Sequence, residues 1–405
     1  MKSPYKTVLF LGDGMADEPV AELGGKTPLQ VANIPHMDAI ARLGRSGYMV
    51  TLPENFPTSS DVANMSVLGC DLTTEMCGRG PLEAASQGVK LGPDDIAFRM
   101  NLVTVDENGI LRDFSGGHIA QADAEEAVRL LNEKLGSDKV RFHTGVSYRN
   151  LLVLSGSEFS ANISYDKPDD CHGQAVAKHM PRTKSNEGIH TAEVLRDLIG
   201  RAAEVLKGRE ANGIWPWSGG KAGAIHNINE RYNIRSAVIS AVDVINGLGA
   251  CMGMDVIRVP GATGYIDTDY EAKADAAIKA LADGYDFVYV HVEAIDEVSH
   301  AQDLKLKLQT IEDFDQRLVG RVMEAGGPDV TYCVLPDHPV PLATGKHTRT
   351  PVPVAVYQPG VEPDDVESFS EIAAPKGALG RLWGSKLMDL LLTNKSYVKP
   401  SGRSK

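Results

Sequence analysis

Two short apolar segments, one near each end of the chain, lead directly into acidic residues. Thr7–Leu11 is followed by the loop Gly12-Asp13-Gly14, and Val330–Leu335 is followed by Pro336-Asp337-His338. Continuous apolar segments of this length, bounded by turn residues, are typical of strands that are buried on both faces of a parallel sheet. Open α/β sheets keep their binding sites at the carboxyl ends of such strands. We therefore predict that both loops belong to a functional site.

Further carboxylate and imidazole groups lie close in sequence to the second loop. Asp296 and His300 are four residues apart in a segment with helical character, so their side chains share one face, and His347 follows His338 after a short loop. Each pair by itself is typical of a solvated helix face or a turn. Taken together, these two carboxylates and three imidazoles predict a metal site. Their mixed oxygen and nitrogen donors suit Zn²⁺ or Mn²⁺ better than Ca²⁺ or Mg²⁺ alone.

The segment from Pro57 to Ser66 places small hydroxyl residues before an amphipathic run, which is typical of a helix N-terminus. Ser60 has two interpretations there. It can cap the helix by accepting a hydrogen bond from a backbone N–H group. It can also act as a nucleophile, because the helix dipole and an adjacent metal ion favour the ionised hydroxyl. The residues alone leave both interpretations open.

Helices and strands alternate in both flanks of the chain, which indicates an α/β fold with a largely parallel central sheet. The predicted helices include Pro28–Gly44 and Ala378–Leu392, and a polar, basic tail follows at Lys395–Lys405. Between residues 92 and 180 the pattern changes to short strands and one helix, which is typical of an inserted, smaller α+β domain. We therefore predict one domain from residues 1–91 and 181–405, and a second domain from residues 92–180.

Arginines lie on or beside the strands of this insert, and another lies between two glycines ahead of it. Arg99 and Arg149 fall at strand segments, and Arg79 belongs to the loop Gly78-Arg79-Gly80-Pro81. Surface arginines are commonly solubilising groups, but several at strand ends can bind an anion through bidentate contacts. Gly219-Gly220-Lys221 lacks the spacing of a nucleotide-binding P-loop.

The composition of the chain argues against nucleic-acid and membrane partners. The chain has 405 residues and a formal charge of −13, which argues against a nucleic-acid partner because no long basic segment offsets it. Five cysteines without a Cys-x-x-Cys pair favour reduced thiols in a cytoplasmic protein. The N-terminal apolar segment is too short for a signal peptide, and no segment approaches the ~20 apolar residues of a membrane span. We expect a cytoplasmic protein without a membrane partner.

Five blocks, in this order, resemble the alkaline phosphatase superfamily and, more closely, its archaeal-type cofactor-independent phosphoglycerate mutases. The blocks are Gly12-Asp13-Gly14, Ser60-Asp61-Val62-Ala63-Asn64, Asp296-x-x-x-His300, Asp337-His338 and His347-Thr348-x-x-Pro351-Val352-Pro353. Thr27-Pro28-Leu29, Gly78-Arg79-Gly80-Pro81 and Trp215-Pro216-Trp217 extend the resemblance to nearly the whole chain. The resemblance implies an alkaline-phosphatase-like sandwich, with the insert at residues 92–180 as a substrate-binding lid.

The resemblance also implies roles for individual residues. Ser60 is similar to the nucleophile that carries the phosphoryl group as phosphoserine while 3- and 2-phosphoglycerate are interconverted in glycolysis and gluconeogenesis. Two divalent ions are implied, Mn²⁺ or Zn²⁺ with Mg²⁺ as an alternative, and no 2,3-bisphosphoglycerate. One ion would take Asp296, His300 and His347, and the other would take Asp13, Asp337, His338 and the hydroxyl of Ser60. The small phosphorylated, anionic substrate would be bound by Arg79, Arg99, Arg149 and Lys221. A homo-oligomer is left open.

Three alternatives to the mutase remain at this point. The block Ser60–Asn64 is similar to that of a bacterial branch proposed to act as homoserine kinase in threonine synthesis, which would need a separate phosphoryl donor. A metal-dependent phosphatase would let water resolve the phosphoserine. A regulatory metal-binding module would need no nucleophile, so the position of the serine argues against it.

Overall fold

The strands of the chain form three separate sheets in the computed structural model, which describes residues 3–221, 223 and 225–393. In chain order the strands are β1 Lys6–Gly12, β2 Arg45–Met49, β3 Asp95–Val105, β4 Leu111–Asp113, β5 Val140–Val146, β6 Arg149–Ser155, β7 Ile163–Ser164, β8 Arg182–Thr183, β9 Gly213–Lys221, β10 Ser236–Ile239, β11 Asp255–Val256, β12 Phe287–Val292, β13 Val330–Pro336, β14 Val352–Tyr357 and β15 Gly380–Leu382. The predicted tail at Lys395–Lys405 lies outside the described residues.

Helices follow or precede most of these strands. In chain order they are α1 Pro28–Val31, α2 Pro35–Arg42, α3 Ser60–Val67, α4 Leu72–Glu75, α5 Arg79–Ser86, α6 Gln121–Leu135, α7 Ile189–Val205, α8 Ile228–Tyr232, α9 Asp243–Cys251, α10 Tyr270–Ala282, α11 Ala294–His300, α12 Leu304–Asp313, α13 Arg321–Gly326 and α14 Lys386–Leu392. A π-helical segment, Phe314–Gly320, joins α12 to α13.

These elements divide into two compact units. The first unit consists of Met1–Met76 and His226–Lys405, and its eight-stranded sheet has the order β11-β10-β12-β1-β13-β14-β2-β15. Strands β11, β10, β12, β1 and β13 are parallel, whereas β14 is antiparallel to both of its neighbours. The predicted α/β fold with a largely parallel central sheet is therefore confirmed.

The core of the first unit forms where side chains of the central strands meet the covering helices. Phe10 of β1 and Val334 of β13 pack in one cluster with Ile40 of α2 and with Phe314 and Leu318 of the π-helical segment. All five side chains are fully buried, and burial of a side chain of this kind contributes roughly 1.5–3 kcal/mol. The continuous burial along β1, β12 and β13 explains why their sequences are apolar without alternation.

The second unit, Cys77–Ile225, is built on an antiparallel sheet. Strand β3 lies at its centre, with β6 on one side and β9 on the other, and β5 pairs with the far edge of β6. Helices α6 and α7 pack on this sheet through Leu131 and Leu195, which join a cluster with Phe98 and Leu152. The unit contains the predicted insert, residues 92–180, and extends beyond it at both ends, because α5 and β9 also belong to it.

Two predicted helices differ from those of the structure. The segment Pro28–Gly44 forms two short helices, because Pro35 has no N–H group and disfavours helical backbone at the residue before it; Ile34 has φ −124° and ψ 55°. The segment Ala378–Leu392 is helical only from Lys386 onward. Its first part, Gly380–Leu382, instead extends the edge of the sheet by pairing with β2.

Candidate metal centre and nucleophile

Three parallel strands of the first unit end at the same level of the sheet. In the pairing register, Gly12 of β1 lies beside Val292 of β12 and beside Pro336 of β13. Asp13 and Asp337 therefore leave the sheet side by side, and α11 begins shortly after β12 on the same edge. The sequence pattern predicted this placement of both loops at the carboxyl ends of parallel strands.

Gly14 allows the loop after β1 to approach helix α11 closely. Its φ is +64°, and a Cβ atom at this position would lie 2.7 Å from Cα of Asp296. Only glycine adopts this backbone conformation without strain and leaves room for the helix. The close approach brings Asp296 next to the loop that carries Asp13.

His338 lies between the carboxylates of Asp13 and Asp337. Its Nε2 is 3.4 Å from Oδ1 of Asp13 and 3.3 Å from Oδ2 of Asp337. The backbone N–H groups of Gly14 and His338 donate to Oδ1 of Asp337 at 3.1 and 2.8 Å, which fixes that carboxylate. Burial raises the pKa of Asp13 well above its ordinary value, and the charges of Asp337 and Asp296 raise it further. A cation held here would relieve this repulsion.

The second group of donors surrounds Asp296. Nε2 of His300 is 3.2 Å from Oδ2 of Asp296, Nε2 of His347 is 3.4 Å from Oδ1, and the two Nε2 atoms are 2.9 Å apart. The Nδ1 atoms of His300 and His347 donate to the carbonyl oxygens of Gly345 and Thr58, at 2.8 and 3.1 Å. Both Nε2 atoms therefore face Asp296, and the hydrogen bond to Asp296 raises the pKa of His300 to about 9. A divalent cation would replace the proton held between these groups.

His338 links the two groups. Its ring stacks on that of His347, with 3.8 Å between the centroids. One atom from each of Asp296, His338 and His347, and likewise one from each of Asp13, Asp337 and His338, lie within 4.8 Å of one another. Within the described part of the chain, the buried Oδ1 atoms of Asp13 and Asp296 accept no hydrogen bond. Buried carboxylate oxygens without a donor, facing imidazole nitrogens, fit divalent cations.

Ser60 reaches this cluster from the start of α3. Its Oγ lies 3.2 Å from Nε2 of His338. Ser60 is the first helical residue, whereas Ser59 is the N-cap residue, and the side chain of Ser59 makes no capping hydrogen bond. The hydroxyl of Ser60 is therefore directed at the imidazole and carboxylate groups instead of capping the helix.

Asn64 connects helix α3 to the loop after β13. Its Nδ2 donates to the carbonyl oxygen of Ser60 at 2.8 Å and to Oδ2 of Asp337 at 3.0 Å. The hydroxyl of Tyr289 in β12 donates to Oδ1 of Asn64. Asn64 and Tyr289 are fully buried. The amide therefore fixes the position of the Ser60 backbone relative to the carboxylate of Asp337.

His291 is a site residue that the sequence prediction missed. Its Nε2 lies 3.0 Å from Oδ2 of Asp13, and its Nδ1 lies 3.1 Å from Oγ of Ser240. Burial lowers the pKa of His291 to about 3, so the neutral ring donates to Asp13 and orients that carboxylate. The available signal was a histidine inside the otherwise apolar strand Phe287–Val292, close to its carboxyl end.

The second unit brings together the three arginines predicted to bind substrate. The guanidinium carbons of Arg79 and Arg99 lie 6.0 and 4.9 Å from the ring centroid of Trp217. Arg99 is buried and pairs with Glu83 at 3.0 Å. Burial lowers the pKa of Arg99, and the positive charges of Arg79 and Arg149 act in the same direction. The three guanidinium groups therefore form a local concentration of positive charge on an acidic protein.

Gly80 allows the arginine cluster to form, and Lys221 lies outside it. A Cβ atom at Gly80 would lie 2.1 Å from the carbonyl oxygen of Ala97, so glycine is what lets α5 pack against β3 and place Arg79 near Arg99. Lys221 is the last residue of β9, is exposed, and pairs with Ile96 in the ladder. It is thus separated along the sheet from Trp217, which pairs with Arg99.

Comparison with known proteins shows to which family this chain belongs. The model of the Metalloenzyme superfamily matches residues 5–394. The 2,3-bisphosphoglycerate-independent phosphoglycerate mutase of Methanosarcina acetivorans is 45% identical over 397 residues, which span 96% of this chain and 99% of the relative. The chain belongs to this mutase family. The resemblance predicted from the sequence is thereby confirmed, as is the alkaline-phosphatase-like fold.

Two solved structures share the fold of this mutase-family chain. A protein from Pyrococcus horikoshii superposes with a TM-score of 0.80 at 29% identity, with 96% of each chain covered. The cofactor-independent phosphoglycerate mutase of Thermoplasma acidophilum superposes with a TM-score of 0.68 at 28% identity, with 96% of this chain and 98% of that chain covered. Among the described residues, none of the helices combines the length and apolar character required to cross a bilayer.

Proposed function

We propose that this chain interconverts 3-phosphoglycerate and 2-phosphoglycerate through a phosphoserine on Ser60. The observation that carries the proposal is the 3.2 Å distance between Oγ of Ser60 and Nε2 of His338, inside a cluster of buried carboxylates and imidazoles. A site that only held cations for stability would need no hydroxyl nucleophile at a helix N-terminus. The relatives named as 2,3-bisphosphoglycerate-independent mutases support the same reaction and its independence from 2,3-bisphosphoglycerate.

Two divalent cations fit the donors, Mn²⁺ or Zn²⁺ with Mg²⁺ as the alternative. One cation would be held by Asp296, His300 and His347, and the other by Asp13, Asp337, His338 and Oγ of Ser60. When bound, the cations would neutralise charge on the phosphoryl group and lower the pKa of the serine hydroxyl.

The transfer takes two balanced steps. In the first, the bond between Oγ of Ser60 and phosphorus forms, the bond between phosphorus and O3 of the substrate breaks, and the proton lost by Ser60 ends on O3. The glycerate then turns so that its 2-hydroxyl faces the phosphoserine. In the second step the bond from O2 to phosphorus forms, the bond to Oγ breaks, and the proton of the 2-hydroxyl returns to Ser60. The N-terminal N–H groups of α3 favour the phosphoryl group at the first helical residue.

The anionic substrate would be bound by the guanidinium groups of Arg79, Arg99 and Arg149, with Lys221 as a further cation. Carboxylate and phosphate groups suit guanidinium groups because both can be held by paired hydrogen bonds. We further propose that the insert at residues 92–180 acts as a lid. A phosphoserine that water can reach is hydrolysed, so the reorientation step requires water to be excluded.

The decisive assay uses the purified full-length chain with Mn²⁺ and 3-phosphoglycerate, without added 2,3-bisphosphoglycerate. The expected product is 2-phosphoglycerate. Release of inorganic phosphate alone would favour a phosphatase, and formation of phosphohomoserine from homoserine and a nucleotide would favour a kinase.

The Ser60→Ala variant is expected to abolish the transfer because it removes the attacking oxygen. Its cation content, measured by elemental mass spectrometry, is expected to stay unchanged because the carboxylate and imidazole donors remain. Ser59→Ala is the matched control, since the side chain of Ser59 makes no capping hydrogen bond. Turnover retained by Ser60→Ala would exclude Ser60 as the nucleophile.

A further inference from the structure

A further group of potential metal ligands lies in the first unit and shares no residue with the proposed catalytic ligands. One atom from each of Cys70, Glu75 and His226 lies within 4.8 Å of the others. Cys70 follows α3 and is buried, and Glu75 is the last residue of α4. His226 is where the chain re-enters the first unit after the second one.

Glu75 fixes the orientation of the His226 ring. Oε1 of Glu75 lies 3.0 Å from Nδ1 of His226 and accepts a hydrogen bond from the backbone N–H of His226 at 3.1 Å. Oε2 of the same carboxylate accepts from the backbone N–H of Asp71 at 2.6 Å. Carboxylates hold metal-binding histidines in this way, because the contact sets the tautomer and the ring orientation.

The other ring nitrogen of His226 supplies an independent observation. Nε2 is buried, and among the described residues it has no hydrogen-bond partner. A buried polar atom without a partner costs about 1–3 kcal/mol unless a ligand, a water or an ion satisfies it. With Nδ1 donating to Glu75, the unshared electron pair is on Nε2, which is the form of imidazole that binds metals.

A similar group in the second unit shows the contrast. Asp166, Cys171 and His179 also place one atom each within 4.8 Å. Both ring nitrogens of His179 are occupied, since Nδ1 lies 2.8 Å from Asp166 and Nε2 lies 3.0 Å from Oε1 of Gln174. Asp166 also pairs with Arg182. The polar groups of Asp166 and His179 are thus satisfied by their own neighbours, and Cys171 makes a suitable control.

We propose that the thiolate of Cys70 and Nε2 of His226 bind an additional divalent cation of the Zn²⁺ type, with Glu75 orienting the imidazole ring through Nδ1. Thiolate sulfur and imidazole nitrogen together select such a cation over Mg²⁺ or Ca²⁺. The site joins the segment before Met76, where the chain leaves the first unit, to His226, where it returns. A bound cation would cross-link these two positions and stabilise the first unit where its chain is interrupted. The site is independent of the proposed phosphoryl transfer.

The test uses Co²⁺ alone, added to the chelator-treated full-length protein. A thiolate ligand gives a sulfur-to-cobalt charge-transfer absorption, which the proposed catalytic ligands cannot give because they include no cysteine. The wild type is expected to show this absorption and to bind about one more equivalent of Co²⁺ than Cys70→Ser. Cys171→Ser is expected to retain both properties, and phosphoryl transfer is expected to survive in both variants.

Three results would overturn the proposal: no charge-transfer absorption in the wild type, the same absorption in Cys70→Ser, or its loss in Cys171→Ser. Circular dichroism checks that each variant is folded. If Cys70→Ser does not fold, His226→Gln takes its place, because it keeps the thiol but removes the imidazole. A full charge-transfer absorption in folded His226→Gln would equally contradict the site.

Discussion

At the scale of single residues, Asn64 shows how a side chain that takes no part in bond making can set the geometry of the site. One amide holds the backbone of Ser60, the carboxylate of Asp337 and the hydroxyl of Tyr289. The amide oxygen and nitrogen have different roles, because the oxygen can only accept and the nitrogen can only donate. The hydroxyl of Tyr289 therefore determines which way the amide faces.

Tyr289→Phe is expected to lower the free energy of unfolding by about 1–3 kcal/mol, because it leaves the buried Oδ1 of Asn64 without a donor. Phosphoryl transfer is expected to fall as well, since the amide can then rotate away from Asp337. Tyr270→Phe is the matched control. Tyr270 is also fully buried, but within the described residues its hydroxyl has no hydrogen-bond partner, so its removal is expected to be close to neutral. Chemical denaturation measures the free energy of unfolding of both variants. Equal losses would contradict a specific role for the hydroxyl of Tyr289.

Residues at strand ends were predictable from the sequence, whereas residues that act through packing were not. Asp13 and Asp337 each follow an apolar strand, and the rule that sites lie at the carboxyl ends of parallel strands applies to them directly. His291 lies inside a strand, where a histidine is ordinarily a core residue. Its contact with Asp13 depends on the register of β1 against β12, and this register is a property of the folded sheet.

At the scale of elements, helix α12 holds the loops after β1 and β13 together through a buried ion pair. Nζ of Lys307 donates to Oδ2 of Asp17 at 2.8 Å and to the carbonyl oxygen of Val340 at 3.0 Å. The backbone N–H of Leu342 donates to the same Asp17 carboxylate. Asp17 follows the loop of Asp13, and Val340 follows His338. A single lysine therefore connects the loop after β1 to the loop after β13.

Lys307→Met is expected to lower the free energy of unfolding by about 3–5 kcal/mol, because it leaves the buried carboxylate of Asp17 without its counter-charge. Cation affinity is expected to fall too, since the loops that carry the ligands are no longer joined. The double variant Asp17→Asn/Lys307→Met is expected to recover part of the lost stability. Lys305→Met, at an exposed position of the same helix, serves as the control for both measurements. Equal effects at the two lysines would remove Lys307 from this role.

The arginine cluster of the second unit makes a separate prediction about substrate. Arg149→Gln is expected to raise the KM for 3-phosphoglycerate with little loss of stability, because Arg149 is exposed and would contribute binding through its charge. Arg141→Gln is matched to it, since Arg141 is also exposed and lies on the neighbouring strand β5, opposite Val153. A similar change of KM in both variants would indicate a general charge effect instead of a binding site.

The bounds of helices and strands were less predictable from sequence patterns than the presence of most strands. Most strands fall where apolar runs predicted them, because a buried parallel strand needs such a run. The helix predicted at Pro28–Gly44 is interrupted because a single proline outweighs the amphipathic pattern around it. The segment at Gly380–Leu382 pairs with β2, a partner far away in the chain. Local sequence contains no information on such a partner, so the strand was predicted as helix.

At the scale of the whole molecule, the charge of the first unit is expected to make its stability depend on cations. Asp13, Asp337 and Asp296 converge in a buried cluster, where burial and the charges of the other two carboxylates raise the pKa of Asp13. Chelator treatment is expected to lower the melting temperature, and added Mn²⁺ to restore it. At about 100 times the dissociation constant, a cation stabilises the folded state by about 2.7 kcal/mol. Ser60→Ala should show the same shift in differential scanning calorimetry, and its absence in the wild type would contradict a cation site.

The prediction of two domains follows from a change of pattern along the sequence. A change in strand pattern marked residues 92–180, whereas the second unit spans Cys77–Ile225. Strand β9 pairs with β3 in the sheet of this unit, and helix α5 belongs to the same unit; both lie outside residues 92–180.

The proposed cation ligands and the proposed nucleophile come from segments that are far apart along the chain. Asp13 and Ser60 are synthesised before the second unit, and the remaining donors are synthesised after it. On the ribosome, the continuous stretch Cys77–Ile225 is therefore complete while Asp13 and Ser60 still lack their partners. A nascent or C-terminally truncated chain cannot assemble the site before β12 and β13 have emerged and paired on either side of β1.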